Sequence, residues 1–224
     1  MQGMIRALFL FICLASISAN AQQPIRFLAL GDSYTIGESV AEDGRWPMQL
    51  ADSLRAKGIA VDTVTIIATT GWTTVDLMKA IDGQALEKQG YNLVSLLIGV
   101  NDQYQGKDVG DYPGHFRQLL DSAIHYAGGD TGRVFVVSIP DYAYTPFGQS
   151  KGEENANRIS WELDAYNAIN QMICQLYGVQ YYYITDISRN GLEDIALVAD
   201  DGLHPSGIQY GLWVKRIVES DFFR

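Results

Sequence analysis

A serine, a histidine and a pair of aspartates could together hydrolyse an ester through a covalent intermediate. Ser33 supplies a hydroxyl that can attack a carbonyl, and His204 supplies an imidazole that can accept the hydroxyl proton. Asp201 precedes His204 by three residues, and in a tight turn that spacing lets a carboxylate reach the imidazole Nδ1. Asp200 competes for the same role. Each short motif is also typical of an ordinary turn. The choice between a turn and a catalytic role therefore depends on where the predicted helices and strands place these residues.

Two further positions could stabilise the oxyanion that such an attack produces. Gly71 has no side chain, so a substrate can approach its N–H closely. It lies just ahead of Thr73 and Asp76, whose spacing predicts a capping box at the start of a helix. Free N–H groups and the helix dipole favour negative charge at such a place. Asn101 offers a neutral side-chain amide as another fixed donor.

Apolar runs alternate with helical patterns along residues 24–224, with no repeat or low-complexity segment. The alternation predicts a parallel sheet with helices on both faces. Strands are predicted over 26–30, 61–68, 93–98, 134–139 and 181–184. Helices are predicted over 46–57, 74–86, 112–127, 159–177 and 206–221. The fourth helix is predicted to place these residues on one face: Trp161, Tyr166, Ile169, Met172, Ile173 and Leu176.

The carboxyl ends of parallel strands joined by right-handed crossovers lie at one edge of the sheet. Ser33 follows the first predicted strand, Gly71 the second and Asn101 the third. His204 follows the fifth strand after a longer connection. Ligands bind at this edge in open α/β sheets, so we expect these four residues to lie close together.

Other chemistries find less support in the sequence. His115 and His125 lie on the predicted 112–127 helix, away from this edge. No histidines and carboxylates are paired at metal-ligand spacing, and no glycine-rich loop carries the Lys-Ser/Thr of a phosphate site. We therefore expect neither a metal nor a cofactor. Ser33 is followed by Tyr34 and Thr35, so Thr35 stands at the position of the second glycine in a Gly-x-Ser-x-Gly elbow. This argues against a typical α/β-hydrolase.

The first 21 residues have the composition of a secretory signal peptide. A short segment carrying Arg6 precedes an apolar stretch over 7–15, and Ala19-Asn20-Ala21 fits a small-x-small cleavage site. The apolar stretch is too short to span a bilayer comfortably. We expect cleavage after Ala21, export to the periplasm or outside the cell, and a single domain over residues 22–224.

The charge and the cysteines limit the partners and the compartment further. The chain carries a formal net charge of −10, and loss of Arg6 with the leader would make it more negative. Such acidity disfavours nucleic acid and anionic membrane surfaces, whereas a neutral small molecule or polysaccharide is compatible with it. Cys174 is the one cysteine in 22–224, so no disulfide within the processed chain is expected.

Four motifs resemble, in order and context, those of the SGNH (GDSL-type) hydrolase superfamily: Gly31-Asp32-Ser33, Gly71, Gly99-Val100-Asn101-Asp102 and Asp201-Gly202-Leu203-His204-Pro205. The similarity covers nearly all of residues 26–218. It implies a flavodoxin-like SGNH fold, in which a five-stranded parallel sheet lies inside a three-layer α/β/α sandwich. It also implies a secreted esterase. Tyr34 replaces the leucine of the family's short name.

The resemblance implies a role for each motif residue. Ser33 would be the nucleophile and His204 the base, with Asp201 orienting the imidazole. The N–H groups of Ser33 and Gly71 and the side chain of Asn101 would form the oxyanion hole.

Aromatic residues are frequent near the predicted edge of the sheet: Tyr34, Trp72, Tyr104, Tyr142 and Tyr144. They could stack on a sugar, line an acyl pocket or simply cover the core. The proline-bracketed segment 139–147 is long enough to form one wall. The sequence predicts no long apolar surface helix of the kind that would indicate activation at a lipid interface. The working hypothesis is therefore a short-chain acyl ester, such as an O-acetyl group on a carbohydrate.

Two alternatives stay open. A lysophospholipase- or thioesterase-type hydrolase would take a lipid acyl chain at the same site. A non-catalytic carbohydrate-binding domain of the same fold would keep the aromatic edge and would need no serine–histidine pair.

Overall fold

The structure, a computed structural model, describes residues 23–223. The predicted signal peptide, residues 1–21, lies outside them. The described chain forms five strands: β1 (Ile25–Gly31), β2 (Val61–Ala68), β3 (Leu93–Leu97), β4 (Val134–Val137) and β5 (Gln180–Tyr182). They form one fully parallel sheet in the order β2-β1-β3-β4-β5, which confirms the predicted fold class.

Helices connect the strands. The α-helices of residues 23–223 are α1 (Ser33–Ile36), α2 (Trp46–Ala56), α3 (Thr74–Ile81), α4 (Val100–Tyr104), α5 (Tyr112–Tyr126), α6 (Pro146–Gln149), α7 (Glu153–Tyr177), α8 (Thr185–Ser188) and α9 (Gly207–Val218). Short 3₁₀ turns cover Glu42–Gly44, Leu86–Gln89, Thr131–Arg133, Tyr142–Tyr144, Ile195–Leu197 and Asp221–Phe223. No helix in the described range combines the length and apolarity needed to cross a membrane.

The sheet is the middle layer of the molecule. Strands β3 and β4 are buried along their whole length, as expected for a parallel sheet covered on both faces. Helix α2 packs against α9, whereas α3, α5 and α7 pack beside one another. The apolar side chains between these layers form one continuous core.

The carboxyl ends of the three neighbouring strands are aligned. Gly31, the last residue of β1, pairs with Ala68 at the end of β2 and with Leu97 at the end of β3. The chain runs from β1 to β2 on one side and then returns to β3 on the other side of β1, so the strand order changes direction between β1 and β3. Such a switch point leaves a crevice at the carboxyl edge of the sheet.

Two predicted helices differ from those observed by five residues or more at one end, and the last, predicted over 206–221, ends three residues early at Val218. The predicted helix over 74–86 is too long, because Asp82 is extended and Gly83 has a φ of +72°. Helix α7 begins at Glu153, six residues before its predicted start.

The predicted buried face of α7 is partly wrong. Trp161 and Leu176 are 76% and 70% exposed, and Met172 is also exposed. The buried side instead includes two polar residues, Asn167 and Asn170. Each is hydrogen bonded inside the core. Asn167 accepts the Ile139 N–H at 2.8 Å and donates to the Ile139 carbonyl at 3.0 Å. Asn170 accepts the Tyr112 hydroxyl at 2.9 Å. Because polar residues occupy part of the buried side, hydrophobicity alone does not identify it.

Candidate active site

A cavity of about 310 Å³ lies at the carboxyl edge of the sheet. Ser33, Gly71, Asn101 and His204 all line it, although they come from four separate segments of the chain. The structure thus brings together the four residues that the strand order predicts at this edge. The other lining residues are Thr70 and six apolar or aromatic residues: Tyr34, Val100, Tyr104, Tyr142, Phe147 and Leu203.

A tight turn from β1 into α1 places Ser33 in this cavity. Ser33 is the first residue of α1, and the Asp32 side chain caps the helix by accepting the Tyr34 N–H at 3.0 Å. A Cβ on Gly31 would lie 2.1 Å from Thr35 Oγ1 and 2.5 Å from the Leu97 carbonyl oxygen. Only glycine allows the helix to return this closely over the strand.

Asp32 is a buried carboxyl directly beside Ser33. Burial raises the pKa of Asp32 to about 8; the Asp102 charge adds to the rise and the Tyr34 N–H opposes it. Within the described residues, the second oxygen of this carboxyl has no hydrogen-bond partner. A carboxyl in this environment favours its neutral form.

Asp201 and His204 form a close side-chain pair. His204 Nδ1 lies 2.6 Å from Asp201 Oδ2, and Ser39 Oγ donates to the same oxygen at 2.7 Å. The other oxygen accepts the N–H groups of Leu203 and His204, each at 2.9 Å. Burial opposes ionisation of Asp201, but these four hydrogen bonds hold the pKa of its carboxyl well below the usual range.

The loop that carries His204 is held by its own backbone. The Ala199 N–H donates to the His204 carbonyl at 2.8 Å, and Val198 forms an antiparallel bridge with Pro205. The Tyr34 ring packs edge-on against the His204 ring, with 5.8 Å between centroids. The imidazole is therefore buried and held from two sides.

The structure distinguishes the two aspartates between which the spacing could not decide. Within the described part of the chain, Asp201 reaches the imidazole, whereas Asp200 is exposed and lines a different cavity. His115 and His125 lie on α5, away from the cavity that holds Ser33.

Gly71 lies in a turn closed by a hydrogen bond from the Trp72 N–H to the Thr69 carbonyl, at 3.2 Å. Its φ is +86°, a conformation that favours glycine even though a Cβ would meet open space. The predicted capping box of Thr73 and Asp76 follows at the start of α3 and is confirmed by both of its hydrogen bonds.

Asn101 lies in the first turn of α4, at the end of β3. Its Nδ2 donates to the Trp72 carbonyl at 2.9 Å, which fixes the amide and leaves its second N–H for another acceptor. In residues 23–223, the N–H groups of Ser33 and Gly71 meet no protein acceptor. Three donors thus belong to residues that line the same cavity.

Of the five predicted aromatic residues, Tyr34, Tyr104 and Tyr142 line the cavity. Trp72 and Tyr144 lie outside its lining. The Tyr104 and Tyr142 rings meet edge to face, with centroids 6.1 Å apart. The Tyr142 hydroxyl donates to Gln103 Oε1 at 2.9 Å and so presents chiefly its ring to a ligand.

Sequence reasoning missed several residues that shape the site. Phe147 and Leu203 line the cavity, and Ser39 binds the Asp201 carboxylate. Phe147 belongs to the proline-bracketed segment 139–147 that was expected to form a wall, and it joins Tyr142, the predicted residue of that segment that lines the cavity. Ser39 carries no signal in the sequence, because it lies 162 residues from Asp201.

Residues 29–212 match the GDSL-like Lipase/Acylhydrolase family. Among curated proteins, none matches the sequence at a significant level.

Several solved structures of esterases share the fold. Axe2, an acetylxylan esterase from Geobacillus stearothermophilus, has a TM-score of 0.67 at 18% identity, over 89% of this chain and 96% of that one. A lipase/acylhydrolase from Enterococcus faecalis has a TM-score of 0.62 at 22% identity, over 87% and 93%. The psychrotrophic esterase EstA from Pseudoalteromonas sp. has a TM-score of 0.62 at 17% identity, over 87% of this chain and 95% of that one. At these identities the similarity establishes the fold alone.

Proposed function

The chain belongs to the GDSL-like lipase/acylhydrolase family, and on that premise we propose that it hydrolyses carboxylic esters through an acyl-enzyme formed on Ser33. One observation carries the proposal: Ser33, Gly71, Asn101 and His204 come from four segments of the chain and line one cavity. A hydroxyl, a base and oxyanion donors are the parts that acyl transfer requires.

In the proposed mechanism, Ser33 Oγ attacks the ester carbonyl and His204 Nε2 takes the hydroxyl proton. Asp201 accepts the Nδ1–H, so it fixes the imidazole tautomer and stabilises the imidazolium that forms. The lowered pKa of Asp201 supports this role, because the carboxylate keeps the negative charge that stabilises an imidazolium beside it.

The tetrahedral intermediate would place its oxyanion among three donors: the N–H groups of Ser33 and Gly71 and the second N–H of Asn101. Fixed donors of this kind stabilise the transition state because they need no reorganisation when charge develops. When the intermediate collapses, the C–O bond breaks and His204 returns its proton to the leaving alcohol. Water, activated by His204, then hydrolyses the acyl-enzyme by the reverse sequence.

For the substrate we propose a short-chain acyl ester, such as an O-acetyl group on a carbohydrate. The small cavity and its apolar and aromatic side chains support a short acyl group. The similarity to an acetylxylan esterase adds only that this fold can carry such an activity.

We also propose that residues 1–21 direct export to the periplasm or outside the cell. This rests on the sequence alone, on Arg6, the apolar stretch over 7–15 and Ala19-Asn20-Ala21. N-terminal sequencing of the protein recovered from the producing cell would test it. A start at Gln22 is expected, and an intact Met1 would contradict the proposal.

Replacement of the nucleophile tests the proposed activity. Ser33→Ala should abolish hydrolysis of 4-nitrophenyl acetate and covalent labelling by a fluorophosphonate probe. Ser122→Ala on α5, a serine whose hydroxyl donates to the Gln118 carbonyl of the preceding helical turn, is the matched control and should behave as the wild type. Normal labelling of Ser33→Ala would place the nucleophile elsewhere.

A further inference from the structure

Helix α4 does more than carry Asn101, because two of its side chains and that of Gln105, the residue that follows it, bind the segment 71–74. Asn101 Nδ2 donates to the Trp72 carbonyl at 2.9 Å. The Asp102 carboxylate accepts the Thr74 N–H at 2.9 Å and the Thr74 hydroxyl at 2.6 Å. Gln105 Nε2 donates to the Gly71 carbonyl at 3.0 Å.

These hydrogen bonds act on an intrinsically permissive backbone. The Thr69–Trp72 turn has a glycine with φ +86° at its third position, which is typical of a type II turn. A Cβ on Gly71 would touch nothing, so no packing restrains this residue. Glycine also has more accessible conformations than any other residue. The direction of the Gly71 N–H therefore depends on the hydrogen bonds around it.

Side-chain hydrogen bonds lie on both sides of the Thr70–Gly71 peptide, which carries that N–H. On one side, the Thr70 hydroxyl donates to the Glu38 carboxylate. On the other side, Gln105 holds the Gly71 carbonyl. Asp102 is buried and anchors the end of the segment at the start of α3, whereas Gln105, just after α4, binds Gly71 itself.

We propose that Gln105 is a positioning residue, which holds Gly71 in the conformation that directs its N–H toward the oxyanion. The inference rests on the proposed function, because it assigns a supporting role within the same site. Gln105 touches the Gly71 carbonyl and is not among the residues that line the cavity, so it acts through Gly71 and not on the substrate. Its effect should then appear in kcat, because oxyanion stabilisation develops only in the transition state.

Two variants separate the hydrogen bond from the charge. Gln105→Glu keeps the shape but cannot donate, and Gln105→Met keeps the length without a polar group. Both should lower kcat for 4-nitrophenyl acetate about three- to tenfold, the scale of one net hydrogen bond, with KM changed less than about twofold. Affinity for a boronic acid that forms a tetrahedral adduct on Ser33 should fall by the same factor. The midpoint of thermal unfolding should stay close to that of the wild type, because Gln105 is exposed.

Gln118→Glu and Gln118→Met on the exposed side of α5 are the matched controls and should leave kcat unchanged. Unchanged kcat in both Gln105 variants would overturn the inference. A fall in kcat in Gln105→Glu alone would show a charge effect. A fall in kcat that parallels a fall in the unfolding midpoint would show a merely structural role. Either result would also overturn the inference. Activity of the wild type that persists in Ser33→Ala would instead refute the proposed function, and this inference with it.

Discussion

The Asp201 carboxylate and the His204 imidazole are joined by a 2.6 Å contact between Oδ2 and Nδ1, across a separation of three residues in the sequence. The same carboxylate accepts the His204 N–H at 2.9 Å, so one side chain fixes both the backbone and the ring of the histidine. Ser39 adds a further donor from a distant segment. This arrangement fixes a ring tautomer whose Nε2 can accept a proton.

The first prediction concerns the two neighbouring aspartates. Asp201→Asn should lower kcat for ester hydrolysis by up to about 10⁴-fold, because an amide no longer selects the required tautomer or stabilises the imidazolium. Asp200→Asn is the matched control and should stay within about twofold of the wild type, since surface substitutions away from special features have small effects. Steady-state kinetics on both variants measures the ranking. The reverse ranking would assign the orienting role to Asp200.

The second prediction concerns Asn101. Asn101→Ala should lower kcat roughly 10²–10³-fold, the range for losing one oxyanion donor. It also removes the hydrogen bond to the Trp72 carbonyl, so the unfolding midpoint should be measured beside kcat and KM. Asn157→Ala, at an exposed position of α7, is the control for loss of an asparagine. A variant with the wild-type kcat would remove Asn101 from the oxyanion hole.

The fold could be predicted because its signals are local. Each strand is an apolar run bounded by turn residues, and the alternation with helices implies parallel strands with a common carboxyl edge. The common edge predicts that Ser33, Gly71, Asn101 and His204 lie close together, and all four line one cavity. The buried face of α7 could not be predicted from hydrophobicity, because it includes Asn167 and Asn170, whose hydrogen-bond partners lie in distant elements.

The remaining details of the site depend on geometry that spacing does not contain. The choice between Asp200 and Asp201 depends on how the turn closes, through the Ala199 N–H and the His204 carbonyl. Ser39 reaches Asp201 only because the connection after α1 lies against the His204 loop. Contacts between residues so far apart in sequence leave no pattern in either segment.

The third prediction is a pH dependence of stability that originates at Asp32. The folded chain keeps a proton on Asp32 up to about pH 8, whereas an unfolded aspartate loses it near pH 4. Between these values the folded state binds more protons, so this group makes stability fall as pH rises, by at most about 1.4 kcal/mol per pH unit. Asp32→Asn should remove that slope and still accept the Tyr34 N–H as a helix cap.

Urea unfolding of the wild type and Asp32→Asn at several pH values between about 5 and 8 tests this slope. The free energy of unfolding of the variant should rise relative to that of the wild type with increasing pH. Asp194→Asn is the matched control, because Asp194 also caps a helical turn but is exposed. A difference between Asp32→Asn and the wild type that is constant with pH would show that Asp32 is ionised in the folded chain.

The fourth prediction concerns acyl length. The wild type should hydrolyse 4-nitrophenyl acetate and butyrate with a higher kcat/KM than the dodecanoate, because the cavity is small and Phe147 closes one part of it. Phe147→Ala should raise the ratio of octanoate to acetate kcat/KM about tenfold, since even one methylene in an apolar pocket has an effect of this size. Tyr144→Ala, in the same segment but outside the cavity, should leave the ratio unchanged. A wild type that strongly prefers the dodecanoate would contradict the short-chain proposal and favour a lipid acyl hydrolase.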